Sequence, residues 1–351
     1  MNTGTTISII LAIFAFIFII GLCIGSFLNV VILRALSNES IVFPASKCPK
    51  CNHTLKWWHN IPVISYILLR GKCGFCKDKI SIQYPIVELL TGVLFVGTFI
   101  KFFIAPLEYG NLTLGNFMNT IYAWIVVSLF VVLAGTDIKE KVVFDKHTYS
   151  LVGIGLLYSI IITVIAIVYS YQTTGQFPLN TSFLIHNRIT YSILGIILGV
   201  VIMEVLARLG YLFAGTRAFG EGDTFIAAGI GAIFGYQRVI PALFLSLLIQ
   251  FIITLPIFIK KLWTNKDYST IGALTGFISY AIVFGILQNH GYLYNNLILI
   301  GTTIPFVAIG LYTCFRILRG IKENSENMMY LPFGPAMVMA ALLMLIFLKY
   351  F

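Results

Sequence analysis

The sequence predicts an all-α polytopic membrane protein with about ten transmembrane helices and one small polar subdomain built around four cysteines. Three observations carry that prediction. Of the 351 residues, 59% are hydrophobic and 10% charged, with mean hydropathy +0.94, whereas a soluble domain is roughly 25% charged. Apolar runs near the ~20 residues of a bilayer crossing recur along the chain. Lys and Arg fall unevenly between those runs.

The first apolar run, 7–32, follows the uncharged stretch Met1 to Thr6. It lacks a basic leader and exceeds a signal peptide's short core, so it reads as an uncleaved span. Further spans are predicted at 84–105, 118–136, 147–171, 189–213, 223–237, 239–259, 271–288, 292–315 and 332–350. The 223–237 segment is short for a full crossing, as a broken or tilted helix would be. With the N-terminus outside, the inside segments 33–83, 137–146, 208–217, 260–266 and 316–322 hold 19 of the 23 Lys and Arg. The other side keeps Lys101, Arg188, Arg238 and Lys349. That bias predicts N-out and C-out, with 33–83 in the cytoplasm. The net charge of +10 is then topological, and a nucleic-acid partner is not expected.

Within the first span, Gly21, Gly25 and Ser26 allow close approach of another helix, and Asn29 offers a hydrogen bond where water is scarce. The polar segment after it contains Cys48-Pro-Lys-Cys51 and Cys73-Gly-Phe-Cys76. Two CxxC knuckles let four thiolates converge tetrahedrally, the geometry of a closed structural zinc site. The spacer of residues 52–72 is slightly longer than the ~15–20 of common zinc ribbons. A reduced metal-free state and a redox role are the alternatives, and disulfides fit a cytoplasmic placement poorly. His53 and His59 read as bystanders, because four sulfurs complete a tetrahedron. Cys23 and Cys314 read as small buried side chains. The stretch Trp57 to Tyr66, with Arg70 and Lys72 beyond it, suits either a platform on the membrane surface or packing around the metal.

Two carboxylates fall at the same predicted cytoplasmic boundary. Asp137 ends the third span, and Asp223 opens the short segment after Phe219-Gly220-Glu221-Gly222. An ionisable group at such a depth points to function, although Asp223 could also N-cap its helix. Two aspartates brought together share one proton, because like charges that close do not both ionise. The ionised member can deprotonate water while the protonated one hydrogen-bonds a carbonyl, which is peptide hydrolysis without a covalent intermediate. Gly220 and Gly222 would let an extended substrate backbone approach. Asp145 competes for the first role, and Glu140 reads with it as solvated or capping. A different class of reading makes the two acids ion or proton sites of a transporter or channel, which the absence of a repeated half disfavours. A catalytically silent assembly factor is the third.

Seven ordered blocks, GSFLNVVILRAL (25–36), CPKC (48–51), NIPVISYILLRGKCGFC (60–76), SIQYPIVELLTG (81–92), TDIKEKVVFD (136–145), FGEGD (219–223) and LPFGPAM (331–337), resemble the type IV prepilin peptidase family. The resemblance implies a bifunctional prepilin leader peptidase and N-methyltransferase of the bacterial cytoplasmic membrane, serving pilus or type II secretion systems. It implies Asp137 and Asp223 as the catalytic pair, with Gly220 and Gly222 completing the GxGD motif of intramembrane aspartyl proteases. It also implies prepilin or pseudopilin substrates and S-adenosylmethionine as methyl donor. The expected division is a first helix (1–32), a zinc-binding, methyltransferase-associated segment (33–83), a protease core (84–265), an inserted transmembrane hairpin (266–330) and a last helix (331–351). The chain departs from the family pattern at Phe144, where members often have Pro, at Phe225, where many have Lys, and in the insertion itself.

Overall fold

A computed structural model of the chain describes residues 3–37, 39–108, 113–140, 145–178, 183, 186–214, 219–264, 266–289, 301–305, 307–310, 312–313 and 332–348. Every regular element among them is helical. Helices α1 (Thr3–Ser37), α2 (Ile64–Leu68) and α3 (Gln83–Phe99) come first. A π-helical turn (Ile100–Ile104) and a last turn (Ala105–Glu108) extend α3. Then follow α4 (Leu114–Glu140), α5 (Asp145–Thr174), α6 (Arg188–Ala214), α7 (Glu221–Phe234), α8 (Tyr236–Thr264), α9 (Tyr268–Asn289) and α10 (Gly334–Phe347).

Six helical stretches are long and apolar enough to cross a membrane: Ser8–Ser37, Gln83–Leu107, Leu114–Lys139, Lys146–Thr174, Arg188–Leu209 and Tyr236–Thr264. They match six of the ten predicted spans. The remaining four correspond to shorter pieces. The expected span at 223–237 is the 14-residue α7, about 21 Å long at 1.5 Å per residue. It stops because Gly235 takes φ +78°, a left-handed conformation that glycine adopts without penalty. The span at 332–350 is the 14-residue α10. The apolar parts of α9 and of the 292–315 region are Tyr268–Phe284 and Gly301–Gly310. The rest of 292–315, together with Arg217 and Cys314, lies outside the described residues.

The chain forms two compact units. One comprises Met1–Met203, Glu221–Leu247 and Pro332–Phe351, the other Glu204–Gly220 and Leu248–Leu331. In the first, α1 packs along α3 through the small residues read from the sequence. A Cβ at Gly21 would come within 2.7 Å of the Gly92 Cα, and one at Gly25 within 2.7 Å of the Glu88 Cα. Asn29 Nδ2 donates to the Tyr84 carbonyl at 3.1 Å, so the buried amide crosses between the two helices. Cys23 is exposed, contrary to the expectation of a buried side chain, because the contact face of α1 runs through Gly21, Gly25 and Leu28 instead.

Helix α7 is buried along most of its length. From Ile226 to Phe234 all of it is buried. Its small side chains bring neighbouring backbones against it: a Cβ on Gly231 or Gly195 of α6 would overlap the other's carbonyl, and one on Gly199 would lie 2.6 Å from the Ala227 carbonyl oxygen. This is the small-residue packing by which membrane helices approach without a hydrophobic drive between them. On the α5 side, a Cβ at Gly155 would meet the Ala232 Cβ at 2.8 Å. The carbonyls at the α7 C-terminus are satisfied by Ser192 Oγ at Ala232 (2.7 Å) and Arg188 Nη2 at Ile233 (2.9 Å). Lys101 donates likewise to the Leu345 carbonyl of α10. Two of the cations left on the outer side by the charge count thus end short helices, where a positive charge is favoured.

Candidate active site

Three acids are buried among the described residues: Glu88, Asp137 and Asp223. Glu88 on α3 has a structural partner, since its Oε2 accepts the Val63 N–H at 2.7 Å. Val63 holds φ +60°, a costly conformation for a β-branched residue, so this carboxylate pins the strained turn that leads into α2. Asp137 and Asp223 remain.

Asp137 lies in the last turn of α4 and is 4% exposed. Neighbouring packing is tight, since a Cβ at Gly135 would overlap Ile32 Cδ1 from α1. Its Oδ2 is buried and without a hydrogen-bond partner, a costly state that in a native structure calls for an explanation. Asp223 is 7% exposed and is the third residue of α7, inside the first turn. It therefore sits past the N-cap position considered from sequence, at the helix end where a carboxylate is favoured by the dipole. Gly222 is helical as well, and Gly220 precedes the helix.

What links the two acids is α10, which packs against both α4 and α7. A Cβ built on Gly334, the first residue of α10, would overlap Asp137 Oδ2 and lie 3.2 Å from Ile226 Cδ1. Ile226 is three residues beyond Asp223, on the same face of α7. Asp137 and the Asp223 face of α7 thus meet one common point at the start of α10. Asp145 begins α5, but its side chain and that of Glu140 lie outside the described residues, as does Phe144. Phe225, standing where many relatives were expected to have Lys, packs edge-on against Tyr149 of α5 with ring centroids 5.3 Å apart.

The four cysteines converge. Cys48, Cys51, Cys73 and Cys76 present sulfurs that all lie within 4.8 Å of one another. None of the described cysteines is disulfide-bonded. The edge of a tetrahedron with metal–sulfur bonds of ~2.3 Å is about 3.8 Å, so the cluster fits a single ion after slight contraction. The two knuckles are built alike. Asn52 N–H returns to the Cys48 carbonyl at 2.9 Å and Lys77 N–H to the Cys73 carbonyl at 3.1 Å. Both turn residues take positive φ, 55° and 62°, and bridges Lys47–Thr54 and Lys72–Lys79 close the loops. Backbone N–H groups of Cys76 and Phe75 lower the Cys73 thiol to about 6, whereas at Cys76 the lowering by the Asp78 N–H is outweighed by burial and the neighbouring sulfurs, which raise it to about 11; the crowded thiols lose their protons in turn, and all four as thiolates would call for a cation. His53 stacks on Phe75 at 4.9 Å, and neither it nor His59 joins the sulfur cluster, as expected of bystanders.

Residues 19–102 match the bacterial peptidase A24 N-terminal domain and residues 124–259 the type IV leader peptidase family. The chain belongs to the type IV leader peptidase family. It is 31% identical over 269 residues to a prepilin leader peptidase/N-methyltransferase of Neisseria gonorrhoeae, covering 69% of this chain and 82% of that protein. With the Klebsiella pneumoniae protein of the same name it is 30% identical, covering 66% and 90%. With the one from Myxococcus xanthus it is 32% identical over 65% of this chain, and it spans 58% of that longer protein. No solved structure matches. The first family stretch contains all four cysteines and the second both buried aspartates.

Sequence reasoning missed two contributors. Glu88 carried a weak signal as the lone acid in an apolar helix. Gly334 entered only as a member of the LPFGPAM block, and nothing in the sequence announces which side chain its missing Cβ admits.

Proposed function

We infer that this multi-pass membrane protein is a prepilin leader peptidase and N-methyltransferase of the bacterial cytoplasmic membrane, with Asp137 and Asp223 as its catalytic pair. The observation that carries the assignment is that, among the described residues, these two are the buried acids left once Glu88 is accounted for, on helices that share α10 as neighbour. One carboxylate takes a proton from water as the water oxygen attacks the scissile carbonyl carbon. The other, protonated, hydrogen-bonds the carbonyl oxygen as it gains charge. Collapse of the tetrahedral adduct breaks the C–N bond, and the leaving nitrogen takes up a proton. The leader approaches from the cytoplasm while the substrate's apolar helix stays in the bilayer, with Gly220 and Gly222 giving its backbone room. The chain divides as 33–83 for metal binding and methylation, 84–265 for proteolysis, 266–330 as an inserted hairpin and 331–351 as the closing helix.

The four-cysteine site is assigned to structural zinc, whose closed tetrahedral coordination the sulfur spacing suits. S-adenosylmethionine is the methyl donor that the family's second activity calls for. Among the described residues there is no strand, hence no strand-to-helix glycine loop of the nucleotide-binding kind, and the donor is assigned to no side chain. The relatives named above are prepilin leader peptidases/N-methyltransferases and lend the transporter alternative no support.

The test is cleavage of a purified prepilin by the full-length protein carrying Asp137→Asn, Asp223→Asn or Asp145→Asn. The first two should lose more than 99% of activity, consistent with the large losses that follow removal of an acid–base group, and the third should retain it. Normal processing by either of the first two overturns the pair, and loss at Asp145 alone reassigns its first member. Mass analysis of the product with and without the donor tests methylation.

A further inference from the structure

A buried carboxylate and the first backbone N–H of a helix face each other at the start of α10. Asp137 Oδ2 is buried with no hydrogen-bond partner. In the first turn of α10, Ala336 and Met337 N–H groups both donate to the Phe333 carbonyl, at 3.0 and 3.2 Å, and Pro335 has no N–H. The Gly334 N–H is left over, as helix starts leave their first donors. It faces the Asp137 carboxylate without completing hydrogen-bond geometry to Oδ2. Any side chain at 334 would occupy the place of Oδ2 and crowd Ile226 Cδ1 at 3.2 Å. The flanking Phe333 is buried, and Pro332 and Pro335 stiffen the backbone, so the helix start cannot yield easily.

We propose that Gly334 is a positioning residue for the peptidase: its missing side chain lets α10 close over Asp137, and its N–H orients the carboxylate toward the scissile bond. The proposal rests on the peptidase reading above. In it, α10 is the element that sets the position of one acid while packing beside the helix that carries the other. The substrate-binding groups are untouched, so the expected signature is a fall in kcat with little change in KM, as for an interaction that matters only in the transition state.

The experiment compares wild type, Gly334→Ala, Gly97→Ala and Asp137→Asn as full-length protein in proteoliposomes, with steady-state kinetics on a prepilin. Gly97 is the control, since its added Cβ would meet Ile346 of the same α10 at an ordinary 3.7 Å. Expected are a kcat loss of at least tenfold for Gly334→Ala with KM within twofold, and near wild-type values for Gly97→Ala. An unchanged kcat in Gly334→Ala overturns the proposal, as does a defect confined to KM. Adding Ile226→Ala to Gly334→Ala relieves the apolar crowding but not the overlap with the carboxylate. Recovery of kcat in that double variant therefore also counts against positioning. If Gly334→Ala fails to fold, the infrared difference spectrum between wild type and Asp137→Asn decides: a band shifted by hydrogen bonding supports the proposal, and one typical of a free carboxyl group refutes it. Full activity in Asp137→Asn would instead mean that the peptidase pair itself is wrong.

Discussion

Gly231→Ala places one methyl group where two helix backbones touch. The added Cβ would overlap the Gly195 carbonyl and lie 2.8 Å from Ile196 N, which must retreat to the 3.4 Å of an ordinary contact. No rotamer change can relieve a clash with backbone, so α6 and α7 must separate. Overpacking of this kind costs ~1–3 kcal/mol. Separation also lengthens the Ser192 bond to Ala232 (2.7 Å) and the Arg188 bond to Ile233 (2.9 Å), together ~2 kcal/mol if half is lost from each side of the usual range. About 3–5 kcal/mol in all is expected, read as a drop of roughly 4–7 °C in thermal unfolding of the detergent-solubilised protein. Asp223 rides on the same helix eight residues away, about 12 Å along its axis. Its displacement should lower prepilin cleavage by about a hundredfold, the cost of a ~1 Å error at a reacting group. Gly153→Ala is the control: nothing lies within 4 Å of its added Cβ, and the helix gains up to ~1 kcal/mol from Ala. If Gly231→Ala behaves like Gly153→Ala in both assays, the backbone contact is not what holds α7.

Two further expectations follow from the polar segment. Glu88→Ala strips the acceptor from the Val63 N–H, bonded at 2.7 Å, and should cost ~1–3 kcal/mol, seen as faster proteolysis within 39–82; Glu88→Gln keeps an acceptor oxygen and should be nearly silent. Cys48→Ser should abolish copurified zinc measured by elemental analysis, whereas His59→Ala should keep it, because only the four sulfurs converge. Retention of stoichiometric zinc by Cys48→Ser would refute the four-sulfur site.

Local pattern made much of this protein legible. Apolar runs announced six long helices because membrane helices satisfy their own backbone within one segment. CxxC spacing announced the sulfur cluster because two tight turns bring each pair together before any distant packing acts. Gly21, Gly25 and Asn29 announced a close helix contact, though not that its partner is α3. Segment 223–237 was recognisably too short, but the sequence could not say that Gly235 ends it with a left-handed residue.

By itself, then, the chain's sequence determined the helical membrane class, the four converging cysteines and the presence of an acid at the end of one apolar run and the start of another, since hydropathy and ligand spacing are local quantities. Tertiary structure alone decided which buried acid is spent on the backbone of Val63, and which glycine stands against Asp137. Gly334 is 197 residues from Asp137 in the chain, and the sequence encodes no measure of that approach. It arises only when α10 packs against α4 and α7.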